Sequence, residues 1–173
     1  MRKYYLPLGL VLTTLAATPA FAHPGIAGHA DFMGGFAHPF SGWDHMLAMA
    51  ALGLWLGNTK STGIVAAFVA FAGALLSGFV LGVNGYHMPL VEAGILASVF
   101  VFGLLAVTAR RLPAALAAPL IAIFALCHGH AHGAEATGSA WLYGLGFISA
   151  SLLIAGAAYG VMRVLSREKR SLA

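Results

Sequence analysis

The chain has 173 residues, of which 60% are hydrophobic and only 8% are charged. A soluble domain carries charges on about a quarter of its residues, so this composition argues against a soluble globular protein. The formal net charge of +4 would suit nucleic-acid binding in a soluble chain, but the basic residues here lie between apolar stretches and at the C-terminus. They indicate membrane orientation, and we expect no nucleic-acid partner.

The first 22 residues have the layout of a secretory signal peptide. Arg2 and Lys3 precede an apolar stretch, which ends in the small-x-small sequence Ala20-Phe21-Ala22. This layout predicts cleavage before His23. An uncleaved first helix is the alternative, and it leaves the topology unchanged because both versions place His23 outside the cytoplasm.

Residues 23–173 are predicted to form one all-α transmembrane domain of five helices. Residues 23–40 are rich in Gly, His and Pro without helical periodicity, which predicts a periplasmic lead-in segment. Five apolar stretches follow, each close to the roughly 20 residues that a helix needs to cross a bilayer. We place these spans at about 41–58, 62–84, 88–109, 112–133 and 139–163. Because the connections are short, successive helices should pack antiparallel.

The distribution of charge predicts which end of the bundle faces the cytoplasm. With the mature N-terminus in the periplasm, one end receives all the basic residues that follow the signal peptide. They are Lys60, Arg110, Arg111, Arg163, Arg167, Lys169 and Arg170. The positive-inside rule assigns that end to the cytoplasm, which predicts a multi-pass protein of the bacterial inner membrane with a cytoplasmic C-terminus. All eight histidines then fall in the external half.

Three glycine pairs have the GxxxG spacing that lets helix backbones approach closely. They are Gly53–Gly57, Gly78–Gly82 and Gly156–Gly160. Packing within the chain is the preferred interpretation, and a homo-oligomer interface is the alternative.

The segment His38–His45 combines two imidazoles with a carboxylate. Residues seven apart lie on nearly the same face of a helix, so His38 and His45 can share a cation. Asp44 is a third candidate ligand, or a carboxylate that holds an imidazole in the metal-binding tautomer.

A second cluster, from His128 to Glu135, ends the fourth predicted span. The apolar part of this span, 112–127, is only about 24 Å long as a helix, so part of the cluster must lie within the outer leaflet. On a continuous helix His128, His132 and Glu135 share one face, and His130 points the other way. Gly129 and Gly133 allow a local break that would change this.

If the first and fourth spans are neighbours, the two clusters form one site of nitrogen and oxygen ligands. Such a donor set suits Ni²⁺, Co²⁺, Zn²⁺ or Cu²⁺ rather than Mg²⁺ or Ca²⁺. The alternative is that these histidines only form hydrogen bonds between helices or to lipid headgroups. Two clusters with interleaved carboxylates favour the metal site.

Five further residues are secondary candidates for metal binding. Glu92 lies about one turn inside the third span and should face the bundle, unless it reaches back to the membrane interface. His23 would chelate a metal through its amine and its imidazole if the signal peptide is removed. The others are left undecided: His29, Asp31 and His130.

The two motifs resemble those of a known family of bacterial membrane proteins. HPFSGWDH fits a His-x5-Asp-His pattern and CHGHAHGAE closely matches FHGx[A/V]HGxE, and together they are similar to the HupE/UreJ family. The resemblance implies a nickel permease associated with hydrogenase or urease. By position it implies six ligands: His38, Asp44, His45, His128, His132 and Glu135. Cys127 replaces the usual Phe of the family, a departure that can add a soft ligand.

We therefore predict a secondary permease that imports a divalent transition metal, with nickel as the leading candidate and no catalytic cofactor. A divalent ion that enters down 100 mV gains about 4.6 kcal/mol without ATP. Two other classes stay open. A membrane metalloenzyme would use Asp44 or Glu135 as general base, although no HExxH signature is present. A sensing or storage protein would bind metal without net flux.

Overall fold

The computed structural model describes residues 31–58 and 63–171, with 168–171 described by their backbone alone. This part of the chain is mostly α-helical and contains no strand, which confirms the all-α class. The helices are α1 (Phe32–Ser41), α2 (Trp43–Asn58), α3 (Ile64–Val83), α4 (Val91–Thr108), α5 (Ala114–Ala134) and α6 (Ala140–Ser171). The predicted signal peptide, His23 and His29 lie outside the described residues.

Four of these helices are long and apolar enough to cross a membrane, namely α3, α4, α5 and the Ala140–Arg167 part of α6. Their first residues lie within three positions of the predicted starts, although α6 continues past the predicted end to Ser171. The remaining predicted span corresponds to α2. Its 16 residues extend about 24 Å, which is shorter than about 30 Å of hydrocarbon. The chain is thus a multi-pass helical protein, and the fifth span stays a prediction.

The expectation that residues 23–40 lack helical structure is wrong for residues 32–40, because these residues belong to α1. Asp31 caps this helix by accepting a hydrogen bond from the Gly34 amide at 3.0 Å. Gly35 suggested a loop, but it is the point where α1 packs on α6. A Cβ there would overlap the Tyr143 carbonyl oxygen. Tertiary packing, rather than local propensity, determines this helix.

The helix α2 follows after a single residue, Gly42, and also packs on α6. A Cβ at Gly53 would overlap the Ala155 carbonyl oxygen, and one at Gly57 would overlap that of Tyr159. The second contact lies four residues after the first on both helices, so α2 and α6 run in the same direction. The GxxxG pair of α2 therefore packs within the chain, as predicted.

The helices α3 and α5 form an equally close parallel pair. Gly78 and Gly82 of α3 face α5, while Gly129 and Gly133 of α5 face α3. A Cβ at any of these four positions would overlap a backbone oxygen of the other helix. Gly129 and Gly133 thus form a further GxxxG pair, which lies inside the histidine motif, and the helix is not broken there.

The third predicted pair, Gly156–Gly160, makes no close contact with another helix in the described part of the chain. A Cβ at either position would meet nothing within 4 Å in the described part of the chain. A homo-oligomer interface at this pair stays a prediction.

Candidate metal site

Three buried histidines meet inside the bundle, between the start of α2 and the end of α5. His45 is 2% exposed, His128 is 0% exposed and His132 is 8% exposed. The Nδ1 atom of His45 lies 3.0 Å from His128 Nδ1 and 3.2 Å from His132 Nε2. One nitrogen from each ring lies within 4.8 Å of the other two, which is close enough for all three to bind one metal ion. We call these residues the inner group.

The local fold explains why these side chains converge. His128 and His132 are four residues apart on α5, so they project from one face of the helix. Gly129 and Gly133 each follow one of these histidines and press α5 against α3, which fixes the rotation of the helix. His45 comes from the first turn of α2, which the glycine contacts with α6 hold in place.

A second group, which we call the outer group, contains His38, His132 and Glu135 and is more exposed. Glu135 Oε2 lies 3.7 Å from His38 Nε2 and 3.7 Å from His132 Nδ1. The side chains of His38 and Glu135 are 31% and 43% exposed. His132 belongs to both groups, with Nε2 toward the inner group and Nδ1 toward the outer one.

The charges of the outer group favour a cation. Burial, and then the neighbouring His132, lower the pKa of His38, while Glu135 and Asp44 partly oppose this effect. The pKa of Glu135 is also lowered, chiefly by its contact with the His132 imidazole and against the effect of burial. His38 is therefore neutral and Glu135 ionised at neutral pH. These are the protonation states that bind metal.

One buried atom has no hydrogen-bond partner among the described residues. This atom is His132 Nδ1, which lies beyond hydrogen-bond distance of the Glu135 carboxylate. Buried polar atoms are nearly always paired, so an unpaired one needs a reason. A cation held between His132, Glu135 and His38 would satisfy this nitrogen.

Asp44 belongs to neither group in the structure. Its Oδ1 accepts a hydrogen bond from the His45 amide at 2.7 Å, at the start of α2. Five of the six predicted ligands thus lie in the two groups, and Asp44 instead acts on the helix that carries His45. Cys127 also lies outside both groups and is buried beside Gly94.

The secondary candidates lie elsewhere. Asp31 caps α1 and is exposed. His130 Nε2 lies 2.6 Å from the Tyr86 carbonyl oxygen, so it ties α5 to the connection between α3 and α4. Glu92 is exposed in the first turn of α4, so the expectation that it faces the bundle is wrong. Its place fits the interface alternative, since a helix N-terminus favours a carboxylate.

Two residues of the site were not predicted from the sequence. Ser98 of α4 and Ser151 of α6 are both 0% exposed. The Oγ of Ser98 lies 2.9 Å from His128 Nε2, and the Oγ of Ser151 lies 3.0 Å from His45 Nε2. Isolated serines in apolar spans carry no motif, and their position inside predicted spans is the only signal that could have identified them.

Comparison with known proteins identifies the family of the chain. Residues 10–173 match the family described as HupE / UreJ protein. The chain belongs to the HupE/UreJ family. Protein HupE of Rhizobium leguminosarum bv. viciae is 38% identical over 149 residues, which cover 83% of this chain and 78% of that protein. HupE/UreJ proteins are a transporter and accessory family related to nickel and cobalt transport for hydrogenase and urease. No solved structure matches the chain.

Proposed function

We propose that this protein is a secondary permease that carries a divalent transition-metal ion, with nickel as the leading candidate, from the periplasm to the cytoplasm. One observation carries the proposal: His45, His128 and His132 bring three imidazole nitrogens together inside a bundle of membrane helices. Ionisable side chains are costly at this depth, and where they occur they commonly mark ion pathways. Imidazole is a preferred ligand of Ni²⁺, Cu²⁺ and Zn²⁺.

The two groups suggest an order of binding. The ion first meets the more exposed outer group, where the Glu135 carboxylate attracts it and replaces part of its hydration shell. It then moves to the inner group, where the donors are imidazoles. Because His132 contacts both groups, the ion need not be released between them.

The path beyond the inner group is closed by apolar side chains. Below His45 on α2 follow Met49, Leu52 and Trp55, which are at most 1% exposed. A hydrated or liganded ion cannot pass these side chains as they stand. Release on the far side therefore requires the helices to rearrange.

The orientation in the membrane follows from charge. The Nε1 atom of Trp55, near the last turn of α2, donates a hydrogen bond to the Arg110 carbonyl at 2.8 Å. This contact joins the far end of α2, away from His45, to the basic sequence Arg110-Arg111. The positive-inside rule assigns that end to the cytoplasm and the histidine end to the periplasm. The inside-negative potential of the inner membrane then drives a divalent cation inward.

A metalloenzyme is less well supported than a permease. Catalytic metal sites keep a position open for substrate or water. Here the Phe147 ring lies against both His45 and His132, with ring centroids 5.1 Å and 4.5 Å away. A storage or sensing protein would use the same ligands, and only a measurement of flux separates it from a permease.

The test is uptake of radiolabelled nickel by cells that express the chain, with Co²⁺, Cu²⁺ or Zn²⁺ as competitor. His45→Ala should lower uptake at least about 10-fold, while His87→Ala, a change at an exposed histidine outside both groups, should leave it unchanged. Equal uptake by both variants and the unmodified chain would disprove the site. Nickel binding without flux into sealed vesicles would favour storage, and the strongest competitor ranks the metals.

A further inference from the structure

We infer that Ser98 and Ser151 are positioning residues, which hold His128 and His45 in the one tautomer that turns both Nδ1 lone pairs toward the ion. This inference rests on the proposed function for the nature of the ion. It concerns two serines that come from two different helices, α4 and α6, neither of which carries a histidine of the inner group.

The hydroxyl proton of Ser98 can be placed from its two contacts. The Oγ atom lies 2.6 Å from the Ile95 carbonyl oxygen and 2.9 Å from His128 Nε2. A carbonyl oxygen only accepts, and a hydroxyl has a single proton, so Ser98 must donate to Ile95. Its oxygen then accepts the second hydrogen bond, and the proton of that bond belongs to Nε2 of His128.

Ser151 repeats this arrangement on another helix. Its Oγ lies 2.8 Å from the Phe147 carbonyl oxygen and 3.0 Å from His45 Nε2. By the same reasoning Ser151 donates to Phe147 and accepts from His45. Both histidines therefore carry a proton on Nε2, and in a neutral ring this leaves Nδ1 with a free lone pair.

The two lone pairs face each other. His45 Nδ1 and His128 Nδ1 are 3.0 Å apart, and with both rings neutral neither nitrogen has a proton to donate. A proton between them would make a buried imidazolium, which is costly without a carboxylate in contact. A divalent cation between the rings would instead remove the repulsion between the two lone pairs, because both nitrogens can bind it at once.

The spacing of the nitrogens agrees with this interpretation. Nitrogen ligands bind Zn²⁺ at about 2.0–2.1 Å, and two of them at angles of 90–110° are then about 2.8–3.4 Å apart. The separations from His45 Nδ1 to His128 Nδ1 and to His132 Nε2 are 3.0 Å and 3.2 Å. The serines thus prepare His45 and His128 to bind a metal through Nδ1 without a proton having to leave either nitrogen.

The experiment uses the full chain in lipid nanodiscs, free of metal and with ¹⁵N-labelled histidine. Nitrogen spectra distinguish protonated Nε2 from protonated Nδ1, and His→Gln variants assign the signals. Both His45 and His128 should be protonated on Nε2. In Ser98→Ala the His128 signals should shift toward a mixture of tautomers while those of His45 stay, and Ser151→Ala should have the reverse effect.

Nickel titration of the same samples provides the second measurement. Each alanine variant should weaken nickel binding about 10–100-fold, the usual effect of losing a partner that orients a metal ligand. The matched control is Ser77→Ala, because Ser77 Oγ also bonds a carbonyl of its own helix, that of Gly73, but is exposed and touches no histidine. This control should bind nickel as the unmodified chain does.

Either of two results would overturn the inference. One is a proton on Nδ1 of His45 or His128 in the unmodified chain, and the other is unchanged tautomers and affinity in both Ser98→Ala and Ser151→Ala. If the unmodified chain shows the expected tautomers, which respond to the variants, but binds no nickel, the positioning role is supported and the proposed function fails.

Discussion

The inner and outer groups share His132 but differ in charge and solvent exposure. The inner group is buried and offers imidazole nitrogens without a carboxylate, whereas the outer group includes Glu135 and is open to solvent. A carboxylate attracts any cation, but a buried set of imidazoles favours ions of borderline softness. Under the proposed function, this difference means that the outer group captures the ion and the inner group discriminates between metals.

The largest effect is expected from His132→Ala, because this change removes a ligand from both groups. Uptake should fall to background, a larger loss than the about 10–100-fold typical of a residue that only orients a ligand. Nickel uptake and equilibrium nickel binding are measured together, with the amount of protein in the membrane as control. A variant that retains normal uptake would show that the two groups do not act in series.

The next largest effect is on the kinetics of nickel uptake, and it distinguishes the inner group from the outer group. His45→Ala should lower the maximal rate of nickel uptake at least about 10-fold, because the ion then lacks its inner ligand set. His38→Ala should chiefly raise the nickel concentration needed for half-maximal uptake, because the inner group is intact. Concentration dependence of initial rates gives both quantities. The same kinetic defect in both variants would argue against separate capture and transfer steps.

A smaller effect is expected from Glu135→Gln, which removes the charge but keeps the shape of the side chain. Glu135 is 43% exposed, and exposed charge pairs contribute about 0.2–1 kcal/mol. The concentration for half-maximal uptake should therefore rise by up to about fivefold. Raising the ionic strength should reduce the difference in this concentration between the variant and the unmodified chain, since salt screens exposed charges. A difference independent of salt would point to direct coordination as the main role of Glu135.

The sequence predicted the four membrane-length helices, and five of the six ligands that it proposed lie in the two groups of the structure, for a physical reason. Long apolar runs identify membrane helices by themselves, and His128, His132 and Glu135 follow helical spacing. The sequence did not predict α1, because Gly35 and Pro39 have poor helix propensity and the contact that overrides it comes from α6. Whether Asp44 contacts the metal or the backbone depends on the exact start of α2, which composition does not fix.

Ser98 and Ser151 could not be predicted, because their importance depends on contacts with other helices. Each serine bonds a carbonyl of its own helix, as serines in membrane helices generally do, and so does the unrelated Ser77. Only the packing of α4 against α5, and of α6 against α2, brings two of these serines to a histidine. Gly129 and Gly133 are a similar case. Their four-residue spacing was visible in the sequence, but the helix against which they pack was not.

The smallest effect concerns pH, and it tests the outer group alone. The pKa of His38 lies below its usual value of 6.5, and metal binding requires the neutral ring. At pH 6.5 more than half of His38 is therefore neutral, so protonation of His38 should weaken capture less than about twofold between pH 7.5 and 6.5. The loss should become larger as the pH falls through the lowered pKa.

Nuclear magnetic resonance titration of His38 in the metal-free chain measures this pKa directly, and two variants should move it in opposite directions. Glu135→Gln removes a negative charge that raises the pKa, so the pKa should fall further. His132→Ala removes a neighbour that lowers the pKa of His38 and also opens the site to water, so this pKa should rise. Asp44 is intact in both variants, so its effect on the pKa of His38 cancels from the comparison. If neither variant changed the titration of His38, the three side chains would not form one electrostatic unit, and the outer group would have no basis as a capture site.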